Sequence, residues 1–188
     1  IQYTDVIIRQ TGDLRRIVDE FSQFARMPVP QRRLSDLIKI IDDVIHLETS
    51  RNSSIAKVLF EKPEPILLMI DPAMITQSLT NLIKNAGEAI ETFVNKNDID
   101  DYQPIINICV SNSELETIIT ISDNGIGLPK DRTRLFEPYM TTREKGTGLG
   151  LPIVKKIIEE HSGEFYLEDA PIFEKNNHIG TSAIIKFF

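Results

Sequence analysis

Three glycines at alternate positions, Gly146, Gly148 and Gly150, run straight into a helical pattern spanning Leu151–His161. No other stretch constrains the chain as much. Glycine takes φ > 0 and lets a ligand lie against bare backbone. The helix that follows turns its unpaired N–H groups and the positive end of its dipole back onto those glycines. Together they make an anion site, and phosphate is the anion that suits it best. Arg143 and Lys145 stand just before the glycines, where they can neutralise phosphate charge. A glycine-rich loop alone is also an ordinary turn, and this one lacks the closing Gly-Lys-Ser/Thr of a P-loop. The rest of the chain has to decide.

Bulk properties narrow the field. At 188 residues and 41% apolar the chain can fill one core with an appendage. A net charge of −7, from 28 acidic and 21 basic residues, argues against a nucleic-acid binder. No run approaches the length of apolar residues that spans a membrane, and no signal peptide precedes the first helix. The chain begins at Ile1 rather than Met. It is therefore expected to be part of something longer, with any membrane anchor upstream and this portion cytoplasmic. One cysteine, Cys109, excludes an internal disulfide and fits a reducing compartment.

Residues 1–26 carry an a/d heptad seam of Tyr3, Ile7, Gln10, Leu14, Ile17, Phe21 and Phe24, widened by Val6 and Val18. One long amphipathic helix is expected, seeking partners in a bundle or a dimeric coiled coil. Met27-Pro28-Val29-Pro30 ends it and marks a domain boundary, with residues 1–30 on one side and 31–188 on the other. Ser35 or Asp36 caps a second helix to about Thr49, burying Leu37, Ile40, Ile41, Val44, Ile45 and Leu47. Ile55–Phe60 and Ile66–Ile70 read as two strands joined by a turn at Lys62–Pro65. Asp71-Pro72 is an N-cap followed by proline at N1, opening a helix to about Phe93 with Ile75, Leu79, Leu82, Ala86, Ile90 and Phe93 as its core stripe. The acidic loop 95–103 lacks the glycine and terminal glutamate of an EF-hand, so it reads as solvated. Ile105–Val110 and Thr117–Ser122 form a hairpin, followed by Asp123-Asn124-Gly125-Ile126-Gly127 and a short helical stretch near Asp131–Phe136. After the glycine loop and its helix, Glu164–Glu168 and Thr181–Phe187 are the closing strands. The expected fold is α+β: a two-layer sandwich of a mixed sheet with helices on one face, preceded by the long helix.

Two more clusters join the glycine loop. Ser78, Asn81, Asn85 and Glu88 share one helical face beside the apolar stripe, although asparagine is a poor mid-helix residue. Ala86-Gly87 thins the helix there, so another body can approach. Asp123 ends a strand just before Gly125 and Gly127, where its carboxylate can accept from an exocyclic amine while the glycines admit a flat ring. Read singly, these are a solvated face and a turn-forming Asp-Asn-Gly.

Read jointly, they resemble the Bergerat ATP-binding domain shared by histidine kinases, Hsp90, gyrase B and MutL. The resemblance covers residues 35–188. Asn81-Leu-Ile-Lys-Asn85-Ala-Gly-Glu88-Ala89 looks like the N box and Asp123-Asn-Gly125-Ile-Gly127 like the G1 box. Leu135-Phe136-Glu137-Pro138-Tyr139 looks like the F box and Gly146-Thr-Gly148-Leu-Gly150-Leu like the G2 box. The resemblance implies ATP and Mg²⁺, with Asn85 as the metal ligand and Asp123 reading the adenine amine. Gly125 and Gly127 would lie near the base, and Asn81 and Glu88 would line the same site. Thr141 through Gly148 would form the lid, so that Thr142, Arg143, Lys145, Gly146, Thr147, Gly148, Leu149 and Gly150 contact the nucleotide. Asn81, Asn85 and Arg143 would serve phosphoryl transfer.

Hydrolysing members of this superfamily carry a glutamate one turn before the metal asparagine. Asn81 occupies that position and cannot take a proton from water, which resembles the histidine kinases. Residues 1–27 and the run Gly146–Gly163 are similar to NtrY-like sensor kinases. That resemblance implies a second dimerisation helix followed by a catalytic domain, a homodimer in the longer protein, and an NtrX-like response regulator as partner. It also implies a first dimerisation helix upstream, which carries the phosphoacceptor. His46, His161 and His178 lie outside any His-Glu-type box, so the phosphoacceptor is expected on that upstream helix. His46 reads as a surface residue and His161 as a cation favouring a helix C-terminus. The alternatives are an ATPase of the same fold and a nucleotide-binding regulatory module without kinase activity.

Overall fold

The computed structural model describes residues 27–51, 56–97, 101–139, 147–173 and 178–188, together with residues 4, 11, 12, 15, 18 and 22. Those six N-terminal residues are helical, as the heptad pattern predicts. The seam residues themselves lie outside the described residues. From Met27 to Arg32 the backbone belongs to no helix or strand.

The long helix α2 (Pro72–Lys96) organises the helical layer. Asp71 starts it as predicted: one carboxylate oxygen accepts the N–H of Ala73 at 3.0 Å and of Met74 at 3.3 Å. The other accepts the N–H of Gln31 at 2.8 Å, which ties the linker to the helix start. Burial pushes the Asp71 carboxyl up, but the Gln31, Met74 and Ala73 N–H groups together outweigh it and hold it below the ordinary range. Helix α1 (Leu37–Arg51) packs on α2, as does α3 (Gly150–Glu160). Asp36 caps α1 through the N–H of Ile38 at 3.0 Å.

Strands β2 (Lys57–Phe60), β4 (Ile105–Asn112), β5 (Thr117–Asp123), β6 (Glu164–Asp169) and β7 (Thr181–Phe187) form one mixed sheet. Its order is β2-β4-β5-β7-β6, with β2 parallel to β4 and every other pair antiparallel. Register puts Ile106, Ile108, Ile119, Ile121, Ala183, Ile185 and Phe165 on one face. These residues join Leu79, Leu82, Ile90, Val154 and Ile157 of the helices in a single core. The α+β sandwich is the observed fold.

Several local expectations are corrected. Ile66–Ile70 does not form a hairpin with the strand before it. Strand β3 (Leu67–Ile70) instead pairs antiparallel with β1 (Arg33–Asp36), a strand the sequence pattern does not announce, in a separate two-stranded sheet. In α1, Ile38 is buried and Leu47 is 42% exposed, because the helix rotates its face toward α2. The helix keeps Ser78 on the face of Asn81, Asn85 and Glu88, but Ser78 is fully buried where those three are half-buried. Residues 133–138 make turns and a bend, not a helix.

Candidate nucleotide site

Strand alternation positions the first functional side chain. Thr117, Ile119 and Ile121 face the helices, so Asp123, two residues on, also turns inward and is only 5% exposed. One of its oxygens accepts the Gly125 N–H at 2.8 Å, closing the turn. Gly125 cannot be another residue without rearrangement: a Cβ there would stand 2.5 Å from the Ala89 carbonyl carbon of α2. Gly127 has φ +72°, and a Cβ on it would meet the Ile179 carbonyl oxygen at 2.6 Å. The turn is thus clamped between α2 and the segment leading into β7. The register sets Thr181 directly across from Asp123.

The second side of the site is α2. Asn81, Asn85 and Glu88 are each half-buried along it, and Lys84 lies 3.9 Å from the Glu88 carboxylate. Gly150, the first residue of α3, faces the Asn85 amide: a Cβ on Gly150 would come within ordinary contact distance, 3.7 Å from its nitrogen. The N box and the G2 box therefore meet with no side chain between them. Helix α3 begins at Leu149 without a side-chain cap, and Pro152 has no N–H to offer. Its remaining leading N–H groups can serve an anion. Gly148 has φ +70°, a conformation that favours glycine, and its carbonyl accepts the Tyr139 N–H at 3.2 Å. That bond joins the end of the F box to the G2 box. Leu149, expected among the nucleotide contacts, is fully buried. The Leu149 N–H reaches the Thr147 hydroxyl at 3.4 Å.

Thr142, Arg143, Lys145 and Gly146 lie outside the described residues. Hollows of about 590 and 700 Å³ open instead beside the 27–33 segment and the start of α2, away from Asp123 and Asn85. His46 is exposed, as expected. His161 is not a solvated cation: it is 7% exposed, its Nδ1–H donates to Ile157 O at 2.7 Å, and its Nε2 accepts the Asp71 N–H at 2.9 Å. The accepting nitrogen requires the neutral ring.

Residues 70–188 match the family described as histidine kinase-, DNA gyrase B- and HSP90-like ATPases, and the chain belongs to that family of ATP-binding domains. Among curated proteins it is 47% identical over 173 residues to nitrogen regulation protein NtrY of Azorhizobium caulinodans, covering 90% of this chain and 22% of that protein. It is 37% identical over 162 residues to a putative NtrY-like sensor histidine kinase of Rickettsia bellii, covering 86% and 25%. The chain thus spans about a quarter of the length of these relatives. Among solved structures, the catalytic domain of histidine kinase ThkA superposes with a TM-score of 0.65 at 25% identity, covering 84% of this chain and 95% of that one. ThkA in complex with the response regulator TrrA gives 0.73 at 23% identity, covering 99% and 50%.

Proposed function

We propose that this chain is the catalytic part of an NtrY-like sensor histidine kinase, which passes the γ-phosphoryl of ATP to a histidine on a helix outside it. The observation that carries this reading is the meeting of Asn85 with Gly150 at the uncapped start of α3, opposite an inward-facing Asp123. In this reading Asp123 accepts from the adenine amine, Gly125 and Gly127 give the ring room, and the α3 N-terminus receives phosphate. Thr141 through Gly148 would be the lid, with Arg143 and Lys145 neutralising phosphate charge. The site suits Mg²⁺, a hard cation that prefers oxygen ligands and usually keeps substrate phosphates among them. Asn85 would hold it through its side-chain oxygen, and it would supply charge neutralisation during transfer. Asn81 stands where a general base would otherwise activate water, and it leaves the phosphoryl for the histidine. Residues 1–30 would be the second dimerisation helix and linker, with homodimerisation, an NtrX-like response regulator and an inner-membrane anchor belonging to the longer protein.

Nucleotide titration with and without Mg²⁺, followed by phosphotransfer to a supplied histidine-containing helix, tests the reading. Metal-dependent ATP binding and labelled helix are expected. Steady phosphate release with no labelled helix would identify an ATPase instead.

A further inference from the structure

His178 has no role in the kinase reading, yet it sits against the turn that carries Asp123. Its Nε2 lies 2.6 Å from the Asn124 carbonyl oxygen and 3.1 Å from that of Gly125. A ring nitrogen facing two carbonyls must carry its proton and donate. The same Asn124 oxygen accepts the Tyr102 hydroxyl at 2.8 Å. Asn124 itself is fully buried and spends its side chain on this framework. Its Oδ1 accepts from Ile105 N and Tyr102 Oη, and its Nδ2 donates to Gln103 O. Phe93, near the end of α2, stacks on the His178 ring at 3.9 Å with 10° between planes, and packs against Tyr102 at 5.0 Å. Burial, with the Asp123 charge adding to it, pushes the Tyr102 hydroxyl up, so it remains a neutral donor.

We propose that His178, seated on Phe93 and aided by Tyr102, is a positioning residue that fixes the Asp123–Gly125 turn and so sets the selectivity of this site for adenine over guanine nucleotides. The turn's other face is held by close packing of Gly125 on Ala89 and Ile90. On the His178 face, hydrogen bonds from the two rings hold it. The Gly125 peptide bears on Asp123 directly, because its N–H is the donor to the carboxylate. Tilting that peptide re-aims the carboxylate, whereas the phosphate end of the site, at α3, is untouched.

This inference rests on Asp123 reading the base. The test compares Kd values for ADP and GDP in the 188-residue chain, with thermal unfolding recorded on each variant. His178→Ala is expected to weaken ADP about tenfold, the effect of one lost hydrogen bond with some reorganisation, and to leave GDP unchanged. His178→Gln, whose amide can donate to the same carbonyls, is expected to keep ADP binding within about twofold of wild type. Equal weakening of ADP and GDP by His178→Ala would mean a merely structural role and would overturn the proposal, as would unchanged ADP affinity. Asp123→Asn is the control on the premise. If it loses ADP selectivity while His178→Ala does not, only the positioning role has failed; if Asp123→Asn keeps full selectivity, the base-reading role has failed and the inference goes with it.

Discussion

At the scale of single residues, polar groups here act by the partners the fold brings them. Asp71 is an N-cap legible in Asp71-Pro72, but its bond to Gln31 N and the Asp71 N–H bond to His161 are tertiary. Removing it as Asp71→Ala is expected to cost about 1 kcal/mol at neutral pH, the usual value of such a cap. Because the folded carboxyl is held below its ordinary value of 3.8, its stabilisation is present above that value and lost as pH falls through the lower, folded one. The urea midpoints of wild type and variant should therefore converge in acid; parallel curves would rule out this role for the carboxylate. Asn85 is the other decisive residue. Asn85→Ala is expected to abolish the Mg²⁺-dependent part of ATP binding, and equal affinities with and without the substitution would remove Asn85 as the metal ligand.

At the scale of elements, two glycines, one inside α2 and one packed against it, have opposite consequences. Gly87 lies inside α2 and a Cβ there meets nothing within 4 Å, so Gly87→Ala should stabilise by about 0.5–1 kcal/mol through helix propensity. Gly125 is pressed on the α2 backbone, and Gly125→Ala should destabilise by several kcal/mol or displace the turn. Thermal unfolding of both variants checks the pair; a stable Gly125→Ala would mean that the turn is not clamped as described. If nucleotide approaches α2 at Gly87, its alanine variant should gain stability while losing ATP affinity. Helix starts, the β4–β5 hairpin and the two closing strands were legible because each depends on local patterns: caps, periods of two, and turn residues. The pairing of β1 with β3 was not. Strands of four residues bear little pattern of their own, and nothing local distinguishes a hairpin partner from one 30 residues away.

At the scale of the molecule, phosphoryl transfer in this reading needs a histidine from elsewhere. With radiolabelled ATP, the 188-residue chain alone should acquire no stable label on His46, His161 or His178, and acid-labile label on any of them would overturn the transfer in trans. Among the described residues no helix is long and apolar enough to cross a membrane. The chain's own residues determined the α+β class, the four motifs and their order, since these are carried by residue type and short spacing. Only the tertiary structure decided that Gly150 closes on Asn85, that Gly125 rests on Ala89 and that His178 reaches the carbonyls beside Asp123. Those contacts join positions far apart in the chain. They follow from sheet register and helix packing, which balance the whole core at once and leave no mark in any single stretch.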